Sequence, residues 1–133
     1  MLVTSPSAPL PLSGRRGPAG TRIYAIGDIH GRSDLLDRLH TAIRADVRIR
    51  RPERAVAVYL GDYVDRGGDS AGTIARLAVP PKDGIERVFL RGNHEAFLLE
   101  FLDGDSGLLD QWLWNGGLFV PLASSGAIGA LPS

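Results

Sequence analysis

An α/β fold built on a parallel sheet is what this sequence predicts, on three observations. Short apolar runs at 21–26, 55–60 and 86–90 alternate with helical stretches, in the order β-α-β-α-β-α; crossover helices make such a sheet parallel. The middle run, AVAVYL, is apolar throughout, as a strand covered on both faces should be. A glycine-flanked polar group follows each run: Asp28, Asp62 and Asn93.

The elements follow in order. Residues 1–20 concentrate Pro, Ser and Gly, a composition that buries too little surface to offset its ordering entropy, so they read as a disordered tail before a domain at 21–133. Residues 21–26, TRIYAI, read as a short buried strand. Ser33 is placed to cap a helix carrying an apolar stripe of Leu35, Leu36, Leu39, Ile43 and Val47, and Arg51-Pro52 ends it. Asp69 or Ser70 caps a second helix to about Leu77, and Pro80-Pro81 stops it. ERVFL at 86–90 gives a third strand, His94–Leu102 a third helix and Leu108–Trp114 a short fourth. His40 falls on the polar side of the first helix and reads as solvated, while Trp112 and Trp114 read as core or partner surface rather than a base-stacking platform.

Composition narrows the function. Lys plus Arg and Asp plus Glu each total 15, so no global basic field draws nucleic acid or anionic membrane. No run is long enough for a membrane helix, and the Arg15-Arg16 pair lacks the apolar stretch of a secretory signal; a cytoplasmic location follows as the default. With no cysteine, thiolate nucleophiles, disulfides and Cys-type zinc sites are excluded. No G-x-x-x-x-G-K-[ST] or G-x-G-x-x-G follows a strand, which argues against nucleotide-loop folds.

The chemistry sits at the strand ends: GDIHG at 27–31, GDYVDRG at 61–67 and RGNHE at 91–95. Asp28 to Asp62 is 34 residues and Asp62 to Asn93 is 31, each about one βαβ unit of roughly 30 residues. The motifs therefore share one sheet edge, where open α/β sheets bind ligands. Taken alone, a Gly-Asp is commonly a turn, His30 an exposed turn residue, Arg66 a surface ion pair and Asn93-His94 a helix cap. No packing demand produces all three at successive strand ends. Carboxylates and a histidine converging on one point call for a cation between them. Asp28, His30 and Asp62 suit one metal, and Asp62 can bridge to a second bound by Asn93. Mixed N/O ligation favours manganese, with iron, zinc, cobalt or nickel also suited, over calcium. Two metals about 4 Å apart clamp a phosphate and activate water at neutral pH. Arg66 offers a planar fork to phosphate oxygens, and His94 beside Asn93 is placed to act as general acid.

At these residues the sequence resembles the calcineurin-like metallophosphoesterases, specifically the bacterial branch of the phosphoprotein phosphatases. GDIHGR, GDYVDRG and RGNHE agree with that family's three N-terminal signatures, and the resemblance runs over about residues 22–117. It implies Asp28 and His30 as ligands of a first metal, Asp62 as the bridge and Asn93 as ligand of the second. It implies His94 as general acid oriented by Asp65, Arg66 as phosphate clamp, and Arg91 as a weaker candidate for that role. It also implies a two-sheet sandwich, of which this chain supplies the β-α-β-α-β half, and direct attack of hydroxide held by the metals on a phosphoester. The substrates implied are phosphoserine or phosphothreonine proteins, or a dinucleoside polyphosphate.

Two departures accompany the resemblance. The segment WLWNGG at 112–117 fits, but Val120-Pro121 replaces the usual Thr-Leu step. No histidine follows His94, so the two further histidines the family gives its second metal are missing from this chain. The expectation is a C-terminally truncated member, with an exposed sheet edge that promotes self-association. An inactive remnant holding one metal or a phosphorylated ligand is the alternative.

Overall fold

A computed structural model of the chain describes residues 17–79, 82–105 and 107–117. The elements run β1 (Thr21–Ile26), α1 (Ser33–Arg50), β2 (Arg54–Tyr59), α2 (Ser70–Ala78), β3 (Glu86–Phe89), α3 (Asn93–Leu102) and α4 (Leu109–Trp114). The sheet has the order β1-β2-β3, and both pairings are parallel. Ile26 pairs with Tyr59 and Tyr59 with Phe89, so the three carboxyl ends are level. The polar segments that follow the strands therefore emerge side by side. Most of the tail read at 1–20, the Pro80-Pro81 stop and the departures beyond residue 117 lie outside the described residues.

Alternation along each strand divides the sheet into two faces. Ile26, Ala57 and Tyr59 meet Leu36 and Ile43 of α1 and Leu77 of α2 in one buried cluster. Tyr59, almost wholly buried, stacks on Phe89 with ring centroids 4.8 Å apart. At the sheet margin, Arg22 and Tyr24 of β1 both donate to Asp46 of α1, at 2.6 and 2.9 Å. No helix among the described residues is long and apolar enough to cross a membrane.

The helix ends correct one expectation and bear out two. Ser33 is the first helical residue rather than the cap, and Arg32 precedes it without a capping side chain. The Ser33 hydroxyl instead donates to Asp69 Oδ2. That bond lowers the Asp69 carboxyl pKa and ties the start of α1 to the start of α2. Asp69 caps α2 as expected, accepting from the Gly72 amide at 2.8 Å. Arg51 closes α1 in the left-handed region at φ 47°, immediately before Pro52, where a proline would disfavour further helix.

Three other readings are corrected. The strand read as buried at 21–26 is only partly so, since Ile23 and Ala25 of β1 are exposed and Ile26 alone is buried. The stripe on α1 is narrower than the sequence indicates: Leu36 and Ile43 are buried, whereas Leu35 and Leu39 are exposed. Leu35 and Leu39 flank β1 and line an open cleft with Ile26 and Asp28, because no further strand covers that side among the described residues. His40 is not a solvated surface residue. Its Nε2 lies 2.8 Å from the Tyr59 hydroxyl, a partner that pattern reading misses because the two are 19 residues apart.

Burial, with the nearby cations of Arg87 and Arg44, holds the His40 pKa below its ordinary 6.5. The unfolded chain then binds this proton more readily than the folded one. The stabilising contribution is complete above the ordinary value and is lost as pH falls through the lowered one. His40→Gln is therefore expected to lose less melting temperature than the wild type between about pH 7.5 and pH 5.5. Identical losses in the two proteins would remove His40 from the account.

Candidate metal centre

The site is assembled from three loops that hold one another by backbone hydrogen bonds. Ile29 N and His30 N both donate to the Asp62 carbonyl, at 3.0 and 2.9 Å, and Gly31 N donates to the Tyr63 carbonyl at 2.8 Å. These bonds bring the loop after β1 against the loop after β2. The third loop is brought in by Glu95 of α3. Its carboxylate accepts from the amides of Asp62 at 2.8 Å, Tyr63 at 2.7 Å, Val64 at 3.2 Å and Gly92 at 3.1 Å. Gly61 sits at φ 109°, and a Cβ there would collide with the Gly92 backbone. Only glycine allows this close approach of the second and third loops.

His30, Asp62, Asp65 and Arg66 all have positive φ, between 45° and 69°. Such conformations cost non-glycine residues about 1 kcal/mol or more each and persist only where surrounding structure imposes them. Here the Glu95 bonds and the loop pairing impose them.

The side chains converge as a result. Asp28, His30 and Asp62 each offer a ligand atom, and these atoms lie within 4.8 Å of one another. His30 Nδ1 is 2.9 Å from the Val64 carbonyl. That acceptor fixes the proton on Nδ1 and leaves Nε2 as a lone-pair donor, the usual arrangement of a metal-binding histidine. Nε2 is buried, has no hydrogen-bond partner, and lies 3.7 Å from Asp28. Asn93, the first residue of α3, lies against Asp62. With its nitrogen turned inward its amide donates to both Asp62 oxygens at 3.3 Å. With its oxygen inward, amide oxygen and carboxylate face each other, an arrangement that a cation between them satisfies. The donor set and the partnerless imidazole nitrogen fit a divalent metal.

Beside the cluster stands a second, fully buried pair. His94 Nδ1 is 2.8 Å from Asp65 Oδ2, and the His94 amide donates to Asp62 Oδ1 at 3.2 Å. The His94 and His30 rings meet edge to face with centroids 4.7 Å apart, and His94 Nε2 has no partner. The arrangement thus provides an oriented imidazole, free at one nitrogen, against the carboxylate–imidazole cluster.

Of the arginines singled out in the sequence, Arg66 is exposed and donates from Nε to the Asn115 carbonyl at 3.2 Å. Arg91 is exposed and makes no hydrogen bond among the described residues. Sequence reading missed two residues. Glu95 stood in the RGNHE motif without an assigned task, and its four amide partners become visible only when the loops are brought together. Trp112, read as core or partner surface, is buried and donates from Nε1 to Asp65 Oδ2 at 2.6 Å.

The carboxyl edge of the parallel sheet thus gathers a mixed carboxylate and imidazole cluster beside an oriented histidine. The chain belongs to the calcineurin-like phosphoesterase family, whose profile matches residues 21–130. It is 37% identical over 115 residues to the serine/threonine-protein phosphatase PP2A-like PPG1 of Candida albicans, an alignment covering 77% of this chain and 26% of that protein. It is 34% identical over 95 residues to serine/threonine-protein phosphatase 1 of Salmonella typhimurium, covering 71% of this chain and 38% of that protein. It is also 37% identical over 81 residues to the symmetrical bis(5'-nucleosyl)-tetraphosphatase of Ralstonia nicotianae, covering 61% and 25%. The chain thus spans about a quarter to two fifths of the length of these relatives.

Replacing Glu95 with Ala leaves four amides without their shared acceptor. A loss of about 2–3 kcal/mol in unfolding free energy is expected, measured by urea denaturation. A change of a few tenths would show that the three loops hold together without it.

Proposed function

We propose that this chain hydrolyses phosphomonoesters with the help of two divalent metal ions, acting on phosphoserine or phosphothreonine in proteins. The observation that carries the reading is the His94–Asp65 pair set against the Asp28–His30–Asp62 cluster. Asp28, His30 and Asp62 would hold one cation, and Asp62 with Asn93 would reach a second; manganese suits these donors. Bound there, such ions neutralise phosphoryl oxygens and activate water. Water attacks phosphorus and the bond to the leaving oxygen breaks. His94, protonated on both ring nitrogens for this step, delivers the Nε2 proton to that oxygen and keeps its Nδ1 proton directed at Asp65, giving phosphate and an alcohol, after which solvent reprotonates Nε2. Asp65 keeps the ring oriented through Nδ1 and offsets the charge of the protonated imidazole. Arg66 offers its guanidinium to the phosphate.

The tetraphosphatase relatives support a second reading with the same centre, in which the leaving group is a nucleotide and the substrate a dinucleoside polyphosphate. The purified chain with manganese, assayed on p-nitrophenyl phosphate, a phosphoserine peptide and diadenosine tetraphosphate, separates the readings. Preference for the peptide is expected. His94→Ala is expected to lower kcat by about 10²–10⁴, and Asp62→Asn or a chelator to remove metal-dependent turnover. Wild-type rates no higher than those of the two variants would sink the proposal and leave the non-catalytic alternative standing.

A further inference from the structure

Two donors meet on one atom at the buried end of the site. Asp65 Oδ2 accepts from His94 Nδ1 at 2.8 Å and from Trp112 Nε1 at 2.6 Å, while Oδ1 has no partner. All three side chains are essentially without solvent contact. Trp112 comes from α4, 47 residues along the chain from Asp65, so no local packing demand on the β2–α2 loop explains the contact. Phe101 packs on the indole at a centroid distance of 5.5 Å, and a Cβ at Gly117 would overlap the indole ring. The ring is thereby held from two sides, with its N–H aimed at one carboxylate oxygen. The same short segment supplies the Asn115 carbonyl that receives Arg66 Nε.

We infer that Trp112 is a positioning residue for the reaction proposed above: its indole N–H fixes the rotation of Asp65 and, through it, the tautomer and orientation of His94. The reason is the count of donors. A buried carboxylate with one lone donor can turn about its Cβ–Cγ bond and exchange oxygens. With a second donor anchored in a rigid ring on the same oxygen, turning breaks two bonds, one of them to a group that cannot follow. His94 then retains its Nδ1–H and keeps Nε2 available. The inference rests on the phosphoesterase reading for its consequence in turnover, but not for the geometry.

The test uses the full chain, Trp112→Phe (which keeps an aromatic ring and removes the N–H), Asp65→Asn, and Trp114→Phe as a control, since Trp114 is 91% exposed. The chain has only two tryptophans, so nitrogen-15 spectra give two indole signals. One is expected far downfield, absent in Trp112→Phe and shifted upfield in Asp65→Asn. The imidazole spectrum of His94 is expected to show a single tautomer with the proton on Nδ1 in the wild type, and a mixture in Trp112→Phe. With p-nitrophenyl phosphate and manganese, Trp112→Phe is expected to lower kcat about tenfold, the scale of one hydrogen bond to a charged group, with KM within about twofold. Trp114→Phe is expected to change neither.

A folded Trp112→Phe that keeps the wild-type His94 tautomer overturns the inference, whatever its turnover. So does an indole signal indifferent to Asp65→Asn, which also decides the matter should Trp112→Phe fail to fold. A wild type without turnover would overturn the phosphoesterase reading instead, and the spectra would still decide the positioning.

Discussion

The carboxylate of Glu95 is the constraint on which the site depends. Four backbone amides from two loops point at it, and a carboxylate is the side chain that can accept that many bonds at once. Asp62 at φ 56° would relax toward a commoner conformation without its amide fixed. Glu95 also lies in the first turn of α3, where its negative charge complements the helix N-terminus. One residue therefore caps a helix, holds a strained ligand loop and sets the spacing between Asp62 and Asn93.

From that constraint the rest follows through the sheet. Parallel strands in level register deliver three loops to one edge, and the backbone bonds from the first loop to the Asp62 and Tyr63 carbonyls close them together. Once closed, the loops bring two carboxylates and an imidazole together. Asp28 and Asp62 face a His30 nitrogen that has no hydrogen of its own to give, because its proton is directed to the Val64 carbonyl. A cation placed between them would make the cluster a ligand set. The strain at His30 and Asp62 is imposed by the Glu95 bonds and the loop pairing, and it turns the partnerless Nε2 of His30 toward the two carboxylates.

Much of this was legible in the sequence. Strand order and the shared edge follow from three apolar runs one βαβ unit apart, because chain connectivity alone sends successive parallel strands in the same direction. The convergence of Asp28, His30 and Asp62 follows from the same fact, and so does the meeting of His94 with Asp65. What stayed hidden depends on side chains remote along the chain. Ser33 looks like a cap because the local pattern admits one, yet Asp69, 36 residues on, takes its hydroxyl. His40 looks solvated on a helical wheel, yet Tyr59 reaches it from the strand beneath. Leu35 and Leu39 extend a stripe that the three strands among the described residues do not cover. Glu95 and Trp112 belong to the same class, since an acceptor of four amides or an indole donating across 47 residues leaves no periodic trace.

The division among the relatives has a physical reading. In the proposed reaction Asp28, His30, Asp62 and Asn93 would act on the phosphoryl oxygens and the attacking water, and His94 on the leaving oxygen. None of them meets what lies beyond that oxygen, whether a serine side chain or a nucleotide. The chain is 37% identical both to a protein phosphatase and to a dinucleoside tetraphosphatase, and the proposed centre would accept either leaving group. Discrimination must then come from groups outside the cluster that touch the remainder of the substrate. Arg66, proposed above to meet the phosphate, lies outside the cluster. It commits Nε to the Asn115 carbonyl and is otherwise exposed, so α4 sets where its charge is presented. The short segment at Trp112–Asn115 thus contacts both the buried Asp65 and the outward-facing Arg66, although it carries none of the candidate metal ligands.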